Sequence, residues 1–421
     1  MKTTFWWPRQ LLIGWINLAL TAPLIYLFIG LPLVMREHGW SATQIGLMQM
    51  TGLPALAKFL LAAPIDRWQV GRDTYRNWGM LLGVGYIATL LLLGAHDLAD
   101  TPFALLFVLA MAVSLFGTWV DLPINALAIR ILPQTQRMQA GAIRSTATSL
   151  AAIVGGGLML ILHSRTGWAT PLLVLSLGVL SAVLLLPLLS ASTTLAPSPT
   201  EHRDALISRP GMGQWLAWFT QPGHRAWTVL LILYFPLIGT VWVFLKPLML
   251  DQGFSPERIA QIVGVGGGIV AAVSSLAGSY VSRKWGVRVA LPLFAAGNLL
   301  TLGTLAASTL LSWGPDAMAV AALLVALMMG ACGGLVFGLM MYHVRPGLSA
   351  LDYGIQSSLF VAGRTLLPIL AGILLDHTGY SGLFGCLLAA LGLMLAYLLG
   401  WSLSTKAKPV SQTTSPTQSV E

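Results

Sequence analysis

The sequence predicts an all-α membrane protein whose twelve transmembrane helices form two pseudo-symmetric six-helix halves. Three observations lead there: a composition with too few charges to solvate a surface, apolar runs of membrane-spanning length, and a second half that repeats the first.

Of the 421 residues, 56% are hydrophobic and 9% are charged, with a mean hydropathy of +0.79. A soluble domain carries roughly 25% charged residues, so lipid must cover most of this chain. Only helices and closed barrels satisfy every backbone donor and acceptor in hydrocarbon. The apolar runs are continuous and about 20 residues long instead of alternating, which selects helices. The formal charge of +9 does not indicate nucleic acid, because the basic residues sit in short loops and form no stripe that could follow a phosphate backbone. Cys332 and Cys386 each fall inside an expected span and read as small buried hydrophobes, not as a disulfide. The first apolar run, from Leu11 to about Met35, is too long for a signal-peptide core and lacks a cleavage site, so it reads as the first span.

Spans are expected at 10–35, 43–64, 77–95, 102–127, 139–162, 169–190, 226–250, 258–281, 287–311, 317–342, 353–375 and 381–403. Of the 23 Lys and Arg, four fall inside spans, sixteen in loops and tails on the N-terminal side, and three (Arg36, Arg165 and Arg258) on the opposite side. The positive-inside rule then places both termini in the cytoplasm of a bacterial inner-membrane protein. The expected organisation is an N-terminal half at 1–190, a cytoplasmic linker at 191–225, a C-terminal half at 226–404 and a disordered polar tail at 405–421. Within the linker, GMGQWLAWFT reads as a short interfacial helix with Trp215 and Trp218 at headgroup level, as are Trp7, Trp78, Trp168, Trp285 and Trp401 at span ends.

The halves repeat at an offset of about 213 residues. LPLVMREHGWSATQIG at 31–46 parallels KPLMLDQGFSPERIA at 246–260, with Gly39-Trp40-Ser41 matching Gly253-Phe254-Ser255. GAIRSTATSLAAIVGGGLMLILHSRTGW at 141–168 parallels GIQSSLFVAGRTLLPILAGILLDHTGY at 354–380. Two matches at one offset point to a duplicated six-helix unit.

LPALAKFLLAAPIDRW at 53–68, continued by Gly71-Arg72, carries an Asp-Arg signature that resembles the cytoplasmic motif of the major facilitator superfamily; the glycine usual four residues before the aspartate is Ala62 here. That segment, together with DLPINALAIRILP at 121–133, resembles the muropeptide permease, acetyl-CoA transporter and siderophore permease group, whose second acidic position is Asn125 in this chain. In length the chain is most similar to the rhizobactin-, pyochelin- and yersiniabactin-associated siderophore permeases. The resemblance implies proton-coupled import of a metallophore, or its metal complex, by alternating access. It implies that spans 1, 2, 4, 5, 7, 8, 10 and 11 line a cavity. Asp66, Arg67 and Arg72 would gate it, Asp66 pairing with nearby arginines to latch the halves; a merely solvated anchoring cluster is the alternative.

A charged group at the bilayer centre costs at least ~2.5 kcal/mol, so intramembrane charge is informative. Lys58, Asp121, Arg144, Lys246 and Arg364 fall inside expected spans, all of them cavity spans. Four cations facing one anion would make the cavity strongly positive and suited to an anionic substrate. Arg144 and Arg364 fit bidentate carboxylate recognition, and Lys58 and Lys246 act as point charges. Asp121 is the candidate for proton coupling. The alternatives are that Asp121 is a permanently ionised partner of Arg144 or Lys58, and that Lys246 snorkels to the membrane surface.

Trp15, Tyr26, Trp119, Tyr234 and Trp242 could stack on a ring in the substrate, although aromatics in spans also pack helices. Asn125 and Gln356 complete the expected substrate-binding set. The seven histidines lack metal-ligand spacing, so a metal would travel already chelated. No cofactor, metal site, nucleic acid or catalytic activity is expected, and the chain is taken as a monomer. A muropeptide or other amphiphilic-anion permease is the alternative substrate reading, followed by a drug or metabolite exporter.

Overall fold

The computed structural model describes residues 7–96, 100–189, 212–221 and 223–406. Among these residues every regular element is helical. The first six spans are α1 (Trp7–Glu37), α2 (Thr43–Arg67), α3 (Thr74–Gly94), α4 (Phe103–Ile131), α5 (Gln134–Thr166) and α6 (Ala169–Leu189). A short helix, Met212–Thr220, precedes α7 (His224–Asp251), α8 (Glu257–Trp285), α9 (Val287–Leu310) and α10 (Pro315–Tyr342).

The final apolar helix, Ser349–Gly400, has 52 residues. As a straight rod it would be about 78 Å long, more than twice the ~30 Å hydrocarbon core. It breaks at Gly379, where φ is 66° and ψ is −173°, a conformation that costs glycine little and strains any side chain. It is therefore two spans, α11 (residues 349–378) and α12 (residues 380–406), which completes the twelve expected.

The halves meet where α5 packs on α8 and α10, and where α2 and α4 pack on α11. At the α5–α10 crossing the backbones nearly touch: a Cβ on Gly141 would lie 2.1 Å from the Gly338 nitrogen. Small residues at such crossings let spans approach closely when no water drives them together. Hydrogen bonds between the halves concentrate from this crossing to the end that carries Asp66. Arg137 donates to the Met341 carbonyl (3.2 Å), Arg283 to Gln139 (3.1 Å), Ser279 to the Met138 carbonyl (3.2 Å), and the Phe59 amide to Ser358 (3.1 Å). That end is closed. Toward the other end the halves separate around a cavity of about 280 Å³. Single π-helical turns interrupt α1 at Tyr26–Gly30, α5 at Val154–Leu158 and α8 at Ala260–Gly266. All three contribute to the cavity wall through Ile29, Gly156 and Val263, in keeping with the habit of π-turns to mark functional positions.

Several expectations change. The helix at Met212–Thr220 exists, but Trp218 is fully buried with its ring 4.6 Å from His224, and Trp215 meets Phe59 at 5.6 Å. Trp218 is thereby withdrawn from the surface, whereas Trp215 is only partly buried. Trp78 and Trp168 are also buried, their indole N–H groups donating to the Trp68 and Leu93 carbonyls; Trp7 and Trp285 are exposed as expected. Cys332 is buried but Cys386 is exposed. The rest of the expected linker up to residue 211, and the tail beyond 406, lie outside the described residues.

Candidate functional site

The first polar cluster is built within α1–α5. Asp121 and Asn125 lie one turn apart on α4, so both side chains share a face. Arg144 of α5 grips the Asp121 carboxylate with both terminal nitrogens, at 2.8 and 3.0 Å. Lys58 of α2 reaches the same carboxylate at 2.7 Å, and the Asn125 amide donates to it at 2.9 Å. Each carboxylate oxygen therefore accepts two hydrogen bonds. Arg144 also donates to Asn17 of α1 at 2.9 Å, and its guanidinium lies 5.2 Å from the Phe337 ring and 5.5 Å from the Tyr353 ring. Asn17 escaped the sequence reading, although a lone Asn inside an apolar span was the available signal.

This corrects the expected picture of four cations facing one anion in a single cavity. Two of the cations are spent on Asp121, behind the cavity wall. Lys246 of α7 and Arg364 of α11 line the cavity itself, and among the described residues neither has a carboxylate partner. Trp242 stands beside them and Ser149 and Thr148 of α5 face them from the other half. The floor is aromatic: Phe360 has Phe235 at 5.1 Å and Phe337 at 5.4 Å. Phe337 thus separates the cavity from the Arg144 guanidinium.

The other expected binding residues are elsewhere. Trp15 is half-exposed on α1 and donates to Ser181 of α6 (3.1 Å). Tyr26 is buried against Trp168. Trp119 packs on Trp78, 6.1 Å between centroids. Tyr234 is buried and donates to the Leu291 carbonyl of α9 (3.0 Å). Gln356 is a splint: it donates to the carbonyls of Met340, His343 and Asp352 and accepts from the Trp227 indole. Tyr26, Trp119, Tyr234 and Gln356 point into packed seams, where rings bury apolar surface against neighbouring helices; among the described residues the Tyr26 hydroxyl and the Trp119 indole N–H have no hydrogen-bond partner there.

At the closed end Asp66 does not pair with an arginine among the described residues. Its carboxylate accepts from the Leu351 and Ala350 amides, at 2.7 and 3.3 Å, and from the Tyr75 hydroxyl at 2.8 Å. The two amides are at the start of α11, where a helix presents unpaired N–H groups and partial positive charge. Asp66 of one half therefore caps a helix of the other, while Arg67 and Arg72 are exposed. Among the described residues no group of three or more His, Cys, Asp or Glu could hold a metal ion.

The family model of the Major Facilitator Superfamily matches residues 12–355. The chain belongs to the major facilitator superfamily. Members of this superfamily are transporters, not enzymes, and the chain is accordingly a multi-pass secondary transporter of a small molecule. It is 25% identical over 420 residues to an uncharacterised protein of Haemophilus influenzae, covering 94% of each. To the anhydromuropeptide permease of Escherichia coli it is 24% identical over 392 residues, covering 87% of this chain and 76% of that one. Its fold is similar to that of the superfamily transporter FucP in the outward conformation, with a TM-score of 0.68 at 14% identity, covering 93% and 98% of the two chains.

Proposed function

We propose that this transporter imports an amphiphilic organic anion across a bacterial inner membrane, with both termini in the cytoplasm. The observation that carries the reading is the pair Lys246 and Arg364, two cations in a cavity between the halves that have no carboxylate partner among the described residues. Unpaired cations in a low-dielectric site attract an anion strongly. The aromatic floor and Trp242 supply an apolar surface for the rest of the ligand. Alternating access then consists of breaking the Asp66–α11 cap and closing the cavity mouth around the bound anion.

Of the three readings expected from the sequence, a metallophore, a muropeptide or other amphiphilic anion, and a drug or metabolite for export, the likeness to an anhydromuropeptide permease favours a muropeptide-type anion. The metallophore reading is second and rests on the sequence resemblance alone. Asp121 is the proposed coupling residue: a helix rearrangement during alternating access that draws Arg144 away from it would free it to accept a proton.

The test is uptake of a labelled anhydromuropeptide and of a labelled ferric siderophore into vesicles from a deletion strain expressing this chain. Muropeptide accumulation driven by a proton gradient supports the first reading, siderophore accumulation the second, and neither would sink both. For coupling, Asp121→Asn should abolish gradient-driven accumulation and retain exchange at equal pH. Retained accumulation would remove Asp121 from that role.

A further inference from the structure

The two walls of the cavity have opposite hydrogen-bonding character. On the wall from α7 and α11, Lys246 and Arg364 offer only donors. On the wall from α5, Thr148 donates its hydroxyl proton to the Arg144 carbonyl at 3.0 Å, and Ser149 donates its own to the Ser145 carbonyl at 3.2 Å. A hydroxyl has one proton and two lone pairs. With the proton committed to the helix, each oxygen is left as an acceptor on a residue that lines the cavity. Facing α8 contributes Gly264, Gly267 and Gly268, which offer no side chain to compete for those oxygens; at Gly264 a Cβ would meet nothing within 4 Å.

We infer that Thr148 and Ser149 form a second subsite, specific for N–H or O–H groups on the transported anion. This rests on the anion reading of Lys246 and Arg364 and extends it to the ligand's other end. The ligand class is then narrower than an organic anion: a carboxylate or similar acid that also carries an amide N–H or hydroxyl, with apolar surface between the two. A simple fatty or aromatic acid would fill the cationic end and leave Thr148 and Ser149 without donors. A two-ended ligand also touches α5 of one half and α7 and α11 of the other, so its binding energy draws the open mouth together. A one-ended anion supplies no such bridge.

The test uses the purified full-length chain and two probes, N-acetylmuramate, which has a carboxylate, hydroxyls and an amide N–H, and cyclohexanecarboxylate, which has a carboxylate and no donor. Dissociation constants are measured by calorimetry. Wild type should bind N-acetylmuramate at least about tenfold more tightly, as two hydrogen bonds would give. Thr148→Val with Ser149→Ala should reduce that preference to about twofold and leave the affinity for cyclohexanecarboxylate within twofold of wild type, which also reports an intact cavity. The swap Thr148→Ser with Ser149→Thr keeps both oxygens and should restore the preference. A wild type without preference, or a double variant that keeps tenfold, would overturn the subsite. If Arg364→Ala alters the affinity of neither probe, or if neither probe binds, the anion reading itself fails and the subsite with it.

Discussion

In the first half of the bundle Arg144, Lys58 and Asp121 are locked together at 2.7 to 3.0 Å; in the second, Lys246 and Arg364 face open space. The two arrangements answer different demands. A buried ion taken from water costs several kcal/mol even after relaxation, and a partner with good geometry offsets that cost. Asp121, with two acceptor positions filled on each oxygen, provides such a partner and ties α1, α2, α4 and α5 into one body. Lys246 and Arg364 keep contact with the cavity, where water can solvate them until an anion arrives. Charge that holds a half together is paired, and charge that meets a ligand is left available.

The sharpest way to break this contrast is Asp121→Ala, which leaves two buried cations without their acceptor. A loss of about 3–5 kcal/mol is expected, read as a large drop in thermal unfolding temperature and membrane yield; Asp121→Asn, which keeps one acceptor oxygen, should lose less. Lys246→Ala and Arg364→Ala should do the reverse, holding membrane levels near wild type while transport falls at least about tenfold, as expected for a charge-assisted contact of 1.5–3 kcal/mol. Arg364→Lys should restore only part, because a point charge cannot reproduce a bidentate fork. If the cavity variants unfold and Asp121→Ala does not, the division of roles is inverted. The smallest effect concerns the cap. Asp66→Asn should weaken the closed end by about 0.3–1 kcal/mol, raising the reactivity of a cysteine placed at Ser358, in a Cys332→Ser, Cys386→Ser background, toward a maleimide applied from the Asp66 side. Unchanged labelling would show that the cap contributes nothing to closure.

The expected membrane-spanning fold could be read from composition and run length because lipid imposes a rule on every residue: an unpaired backbone amide in hydrocarbon is too costly, so about twenty apolar residues in a row must be helix. The internal repeat was equally legible, since Pro32, Gly39 and Ser41 find Pro247, Gly253 and Ser255 without any knowledge of contacts. Gly379 hid the boundary between the last two spans only in hydrogen bonding, not in sequence. The five intramembrane charges were also visible one by one. Their pairing was not, because Lys58, Asp121 and Arg144 are 63 and 23 residues apart along the chain, and only the packing of α2, α4 and α5 brings them within 3 Å. The same holds for Tyr234 and Gln356, whose residue types suit a binding site but whose positions face α9 and the α10–α11 turn. Asp66 shows the limit most clearly: the sequence identifies a carboxylate at a helix end near arginines, and the tertiary structure gives it the free amides of α11, 284 residues away, because an unpaired helix start is a donor that no local sequence displays. Residue chemistry by itself determined which groups lipid would not tolerate alone; the packing of the helices decided which of them are paired and which still await a ligand.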